Sequence, residues 1–175
     1  MLKSTNAQQA HSHNRIKASV SVKGTFTPLM EQLCEKDVIC LKPSDTVFDA
    51  AERMCADHVG NVVIVDDKNS RKIPVGMLTD RDIVINSIAK KLNPESIKIS
   101  DIMSKKVVTA SEDIEISDLI QLITTEGVSR LPIVDSSGAL IGILSSKRLF
   151  QYMAQGLCLL SSLSIQQQKR EEKTH

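Results

Sequence analysis

From residue 38 onward the chain alternates short apolar runs, polar turns and one-sided apolar stripes, and it passes through that order twice. Val62-Val63-Ile64-Val65 is a continuous β-branched run of the kind found in a strand covered on both faces. Before it, Val38-Ile39-Cys40-Leu41 reads as a short strand and Lys42-Pro43-Ser44-Asp45 as a turn whose Ser44 or Asp45 caps the next helix. Val47, Ala50, Ala51 and Met54 then recur at helical spacing, with Asp49, Glu52 and Arg53 turned to water. After a polar loop at 66–71, Ile73 to Leu78 predicts a second strand in hairpin relation to the first. Thr79 opens a helix carrying Ile83 and Val84.

Residues 33–66 align without a gap on 102–135, so this is an internal duplication. The second copy gives the strand Val107-Val108-Thr109, a capped turn at Ser111 to Asp113, and the helix stripe Ile116, Leu119, Ile120 and Ile123. Leu131-Pro132-Ile133-Val134-Asp135, the tight turn Ser136-Ser137-Gly138, a strand from Leu140 to Leu144 and a helix from Ser146 follow. Each copy is β-α-β-β-α, and about 60 residues is a small basis for a core. The expected fold is α+β, two tandem repeats packed sheet to sheet as a pseudo-twofold pair.

The expected domains are a flexible polar segment at 1–30, repeat 1 at 31–90, a linker with Asn93-Pro94 at 91–98, repeat 2 at 99–152, and a C-terminal helix with a charged tail at 153–175. In that last part Leu149, Met153, Leu157 and Leu160 continue an apolar stripe that Leu163 and Ile165 extend. Gly156 weakens the helix by about 1 kcal/mol relative to Ala. Two outcomes are open: the helix folds back on its own domain, or it pairs in a homodimer.

Composition removes several functions. Basic and acidic side chains balance at 22 and 21, which predicts no polyelectrolyte surface for nucleic acid or membrane. Aromatics are 2% with no Trp, too few for base-stacking platforms. No apolar run reaches the length of a membrane span and no signal sequence is recognised, so a soluble, cytoplasmic protein is expected. Residues 1–30 carry Lys3, Arg15, Lys17 and Lys23 but no acid, which reads as a polar disordered lead or a transit peptide.

Cys34, Cys40, Cys55 and Cys158 lie among apolar or helical neighbours and read as buried thiols of a reducing compartment. Cys55-x-x-His58, with Cys34 or with His11 and His13, offers a metal or thiol sensor as a lesser reading. Ser-His-Asp spacing, P-loop, H-E-x-x-H and G-x-S-x-G are all missing from the sequence, so an enzyme is not expected.

The paired pattern resembles the CBS domain, named after cystathionine β-synthase and found in tandem pairs. It rests on Asp101-Ile102-Met103, Leu131-Pro132-Ile133-Val134-Asp135 and Gly76-Met77-Leu78-Thr79-Asp80-Arg81-Asp82, and covers about residues 30–152. The resemblance implies a stand-alone CBS-pair (Bateman) module. Such a module binds AMP, ADP, ATP or S-adenosylmethionine between its repeats and modulates a partner protein not identifiable from sequence. It implies no required cofactor, a homodimer, and neither nucleic-acid nor membrane binding.

Thr79-Asp80-Arg81-Asp82 matches the family's hydroxyl-x-x-Asp. A ribose diol offers two donors, and the Asp82 carboxylate accepts both. Thr79 and the neighbouring free N–H groups suit a phosphate. A Thr N-cap with Asp at N3 is equally what a capped helix uses, and that alternative stays open.

By resemblance, Val107 and Val108 would hold the adenine, while Ser129, Arg130 and Pro132 belong to the motif facing the phosphates. Ser129 stands where relatives have His. Arg130 keeps the fork geometry that fits phosphate oxygens. In the second copy Ser145-Ser146-Lys147-Arg148 replaces the acid with Arg148, which cannot accept a hydrogen bond, and Asn61 replaces Arg130. The second cleft is therefore not expected to hold a ribose in the same way. Lys147 and Arg148 either add charge near the phosphates of the first site or form a solvated helix start, and how many of Arg81, Arg130, Lys147 and Arg148 converge stays open. A ligand-free interaction protein working through dimerisation and its C-terminal helix is the competing function.

Overall fold

A computed structural model describes residues 28–171, so the expectations for 1–27 and 172–175 lie outside the described residues. One sheet joins β2 (Cys40–Leu41), β3 (Asn61–Lys68) and β4 (Arg71–Thr79) in that order. β2 runs parallel to β3, and β3 pairs antiparallel with β4 as the expected hairpin, with a register shift between Ile64 and Val65. The other sheet has the order β1 (Cys34–Glu35), β7 (Leu140–Ser145), β6 (Arg130–Val134), β5 (Ala110–Ser111). Helices α2 (Val47–Asp57) and α5 (Ile116–Glu126) are the equivalent crossovers that the parallel pairs β2/β3 and β5/β6 require.

The β-branched run of β3 is buried on both faces because each face meets a different core. Val62 and Ile64 pack with Val47, Ala50, Met54, Leu78 and Ile83. Val63 and Val65, one residue out of phase, pack with Val38 and Leu140, and with Ile143 from the opposite sheet. This third cluster joins the two repeats sheet to sheet, as the two-residue period demands.

The repeats exchange their leading segments, so each core receives residues that precede the other repeat's short strand. Helix α1 (Pro28–Leu33) and β1, assigned from sequence largely to repeat 1, put Met30, Leu33 and Cys34 into the core of repeat 2. Reciprocally, α4 (Ile99–Ile102), assigned to repeat 2, buries Ile99 in the core of repeat 1. The Ile99 N–H donates to the Asp45 carbonyl at 2.9 Å, and the Val47 N–H to that of Ile97 at 3.1 Å. Neither repeat closes its core without the other.

Local chemistry departs from expectation at several points. The cap of α2 is Thr46, not Ser44 or Asp45: Thr46 Oγ1 accepts the Asp49 N–H at 3.0 Å, and Asp49 accepts the Thr46 N–H at 2.9 Å, a capping box. The N-cap of α5 is Glu115, without a side-chain bond, while Ser111 donates to Asp113 one turn earlier. The short strand expected at 38–41 shrinks to Cys40–Leu41, and the one expected at 107–109 lies instead at Ala110–Ser111. Each repeat thus leaves the residues just before its short strand outside the ladder, along the groove between the repeats.

The four cysteines are not uniformly buried. Cys34 is buried, Cys40 intermediate, and Cys55 and Cys158 are exposed on the outer faces of α2 and α6 (Ser146–Glu171). Burial, partly offset by Arg148, pushes the Cys34 thiol up to about 11. At pH 8 a disulfide-exchange reagent is expected to modify Cys55 and Cys158 rapidly and Cys34 only on unfolding, read by peptide mass spectrometry. Above pH 9 the unfolded chain releases a proton that folded Cys34 retains, so its contribution to stability falls as pH rises towards 11.

Candidate functional site

The site begins where β4 ends. Thr79 is the N-cap of α3 (Asp80–Ile83), which continues as a π-helix over Val84–Ile88. The Thr79 N–H and hydroxyl donate to Asp82 Oδ2 at 2.9 and 2.7 Å, and the Asp82 N–H returns to Thr79 Oγ1 at 3.1 Å. The capping box considered from sequence is therefore real. It consumes the Thr79 hydroxyl, so Thr79 orients Asp82 instead of offering a donor to phosphate. Oδ2 is occupied by these bonds, and Oδ1 has no hydrogen-bond partner among the described residues.

Asp82 faces a cleft of about 260 Å³ built from both repeats. Repeat 1 supplies Asn61, Met77, Thr79 and Asp82; the second half of the chain supplies Ser104, Lys106, Val108, Gly127, Val128, Ser129 and Arg130. The wall carrying Ser104 and Lys106 is fixed to β4, because the backbones of Met77 and Ser104 exchange hydrogen bonds at 3.2 and 2.9 Å. Apolar Met77, Val108 and Val128 make a surface suited to a flat ring. An acceptor, Asp82, and two cations, Lys106 and Arg130, complete the cleft.

Among the residues singled out from sequence, Thr79, Asp82, Val108, Ser129 and Arg130 come together here. Arg81, exposed on α3, and Val107 are not among the lining residues. Pro132 is buried inside β6, because the strand's pleat turns it to the interior. Lys147 lines the opposite cleft. Arg148 is turned towards α1 by the helix phase: its Nε–H donates to the Gln32 carbonyl at 3.1 Å and its guanidinium lies 3.6 Å from Glu35.

Lys106, Ser104 and Asn61 are the polar lining residues that sequence reasoning missed or undervalued, and Met77, Gly127 and Val128 are the others it did not single out. Lys106 Nζ is held by Glu126 Oε2 at 2.7 Å, at the end of α5. Asn61, only 8% exposed, lines both clefts, and its amide nitrogen has no hydrogen-bond partner among the described residues. The signal available was positional: Asn61 and Arg130 are the first residues of equivalent strands.

The second cleft, about 210 Å³, is the pseudo-twofold counterpart with its polarity changed. Glu35 and Asp37 stand where the first has Ser104 and Lys106, facing Lys147 and the shared Arg130. Ser145 replaces Thr79, and no carboxylate replaces Asp82 on the helix. The residues of the metal-sensor reading are dispersed: Cys34 is buried in the core of repeat 2, and Cys55 and His58 are exposed on and just after α2 in repeat 1. None of the described helices is long and apolar enough to cross a membrane.

Comparison with known proteins agrees with this fold. The CBS domain matches twice, over residues 30–88 and 99–155. An uncharacterised protein of Methanopyrus kandleri is 38% identical over 120 residues, covering 69% of this chain and 60% of that protein. Inosine-5'-monophosphate dehydrogenase of Methanocaldococcus jannaschii is 35% identical over 115 residues, which are 66% of this chain but 21% of the enzyme.

The chain thus spans less than two thirds of either relative. A conserved CBS-domain protein of Thermoplasma acidophilum of unknown function superposes with a TM-score of 0.62 at 25% identity, covering 73% of this chain and 70% of that one. The CBS domain pair of the protein MJ0100, in complex with 5'-methylthioadenosine and S-adenosyl-L-methionine, gives 0.61 at 22% identity over 74% and 99% of the two chains, a likeness of fold. With two CBS domains in tandem, each completed by the other's leading helix, this chain belongs to the CBS-domain family.

Proposed function

We propose that the chain is a regulatory module, not an enzyme, which binds an adenosine-containing ligand in the first cleft and modulates a partner protein. The ligand class is AMP, ADP, ATP or S-adenosylmethionine. The observation that carries the reading is the convergence of Asp82 from one repeat with Arg130 from the other on a single apolar-walled cleft. The free Oδ1 of Asp82 accepts from the ribose, Met77, Val108 and Val128 flank the base, and Ser129, Arg130 and Lys106 meet the anionic end. Ligand contacts that bridge the repeats bias their relative angle, and only that difference in affinity between two arrangements can regulate a partner. The module acts as a cytoplasmic homodimer and requires no cofactor.

Calorimetry of the purified chain with AMP, ADP, ATP and S-adenosylmethionine, beside mass spectrometry of small molecules released on denaturation, tests the reading. Binding of at least one of the four is expected. Arg130→Ala should then cost phosphorylated ligands about tenfold or more, the worth of a charge-assisted hydrogen bond. Absence of binding across the panel, with nothing released from the protein, would leave the ligand-free interaction protein as the function.

A further inference from the structure

In the alignment of residues 33–66 on 102–135, Lys106 falls on Asp37 and Glu126 on Asp57. Both crossover helices therefore end on an acid, but the two acids have different partners. Asp57 forms an ion pair with Arg53 on its own helix, whereas the residue of α5 aligned with Arg53 is Leu122. With no cation one turn back, Glu126 reaches across to Lys106 Nζ at 2.7 Å. The lysine and an acid free to hold it thus occur in the same copy, and that lysine lines the cleft of Asp82.

Lys106 is fixed from both ends. Its backbone is tied to repeat 1, because Met77 and Ser104 exchange backbone hydrogen bonds and Ser104 Oγ donates to the Lys106 carbonyl at 3.3 Å. Its ammonium is tied to α5 of repeat 2 by Glu126. The lysine side chain is 79% exposed, so this pair adds little stability and serves to aim the ammonium. An ammonium has three donors: one goes to Glu126 and two remain for a ligand. Arg130, with five donors, has no ion-pair partner among the described residues.

We propose that Lys106, positioned by Glu126, makes the first cleft selective for a nucleoside monophosphate. The proposal rests on the adenosine-binding reading and narrows it to one member of the ligand class. With Asp82 committed to the ribose, Lys106 and Arg130 are the charges that remain on the cleft. A phosphate monoester carries about −1.5 to −2 at pH 7, which these two cations match. A triphosphate adds two further ionised phosphoryl groups, and the other cations that the sequence offers for them lie elsewhere. Lys147 lines the second cleft, Arg148 is bonded to α1, and Arg81 is outside the lining. S-adenosylmethionine brings a sulfonium and an ammonium to a wall of two cations, with no second carboxylate among the lining residues to receive them. The second cleft presents Glu35 and Asp37 in the equivalent places and so disfavours the same phosphate.

Calorimetry of the full chain with adenosine, AMP, ADP, ATP and S-adenosylmethionine, the di- and triphosphate with and without magnesium, tests the selection. AMP is expected to bind about tenfold or more tighter than adenosine, ATP or S-adenosylmethionine, with ADP between. Lys106→Met is expected to reduce the preference for AMP over adenosine about tenfold, and Lys106→Arg to restore most of it. Should Lys106→Met fail to fold, Lys106→Gln carries the same expectation. Glu126→Gln releases the ammonium and is expected to lower that preference a few-fold, a ratio that a purely structural role for the pair does not move. A wild type that prefers ATP or S-adenosylmethionine overturns the proposal and leaves the adenosine-binding reading standing. So does a Lys106→Met variant that keeps the full preference for AMP over adenosine. If none of the five binds, the reading fails and the proposal falls with it.

Discussion

Asp82→Ala is expected to weaken adenine-nucleotide binding by about a hundredfold, the loss of one to two charge-assisted hydrogen bonds at roughly 1.5–3 kcal/mol each. The residue has two separable duties. Oδ2 closes the helix cap with Thr79, at 2.9 and 2.7 Å. Oδ1 has no partner among the described residues and is the acceptor available to a ribose hydroxyl. Removing the carboxylate therefore also costs about 1 kcal/mol of stability in the ligand-free protein, seen as a fall of about 2–4 °C in melting temperature.

Thr79→Val separates the two duties. It removes the hydroxyl that orients Asp82 but keeps the carboxylate, so the apo protein loses a similar stability while affinity falls only a few-fold. Calorimetry on both variants, with melting curves recorded in parallel, reads the two duties independently. If Asp82→Ala binds nucleotide like the wild type and loses only the cap, the carboxylate serves the helix alone and the cleft's assignment fails.

The parts of the fold that could be read from sequence are those fixed by short-range periodicity. The β3 run Val62-Val63-Ile64-Val65 and the α2 stripe of Val47, Ala50 and Met54 commit their faces through periods of 2 and 3.6, whatever the rest of the chain does. The exchange of α1 and α4 was not readable. Met30, Leu33 and Ile99 advertise burial, but which core receives them is decided by tertiary packing, and β1 holds its place through only the pairs Cys34 with Leu144 and Glu35 with Ile143. The duplication pointed to Asp82 and Arg130 because each contrasts with its counterpart. It hid Lys106, whose counterpart is Asp37, since a basic residue on a loop reads as a solvated surface until the chain folds it into a wall. Arg148 was misplaced for a different reason. Sequence gives its position on the helix but not that α1 is the element lying against it.

That wall rests on a close approach at Gly76. A Cβ added there would lie 2.5 Å from Met103 Sδ and 3.1 Å from the Ser104 carbonyl oxygen. The thioether can swing aside, but the carbonyl is held by its hydrogen bond from the Met77 N–H at 3.2 Å. Gly76→Val is therefore expected to cost about 2–3 kcal/mol in urea denaturation, an overpacking penalty in a buried strand. Gly76→Ala should cost about 1 kcal/mol or more. Because Met103 and Ser104 lead directly to Lys106, displacement of the segment also moves a cation of the cleft, and nucleotide affinity should fall together with stability. Met103→Ala supplies the internal control. It opens space on the crowded side, so the double variant with Gly76→Ala should be less destabilised than the sum of the singles by roughly 0.5–1 kcal/mol, the coupling of two residues in contact. Strict additivity would mean that the strand and the wall are not in contact at this point, and the cleft would then lack the rigid side on which its ligand contacts depend.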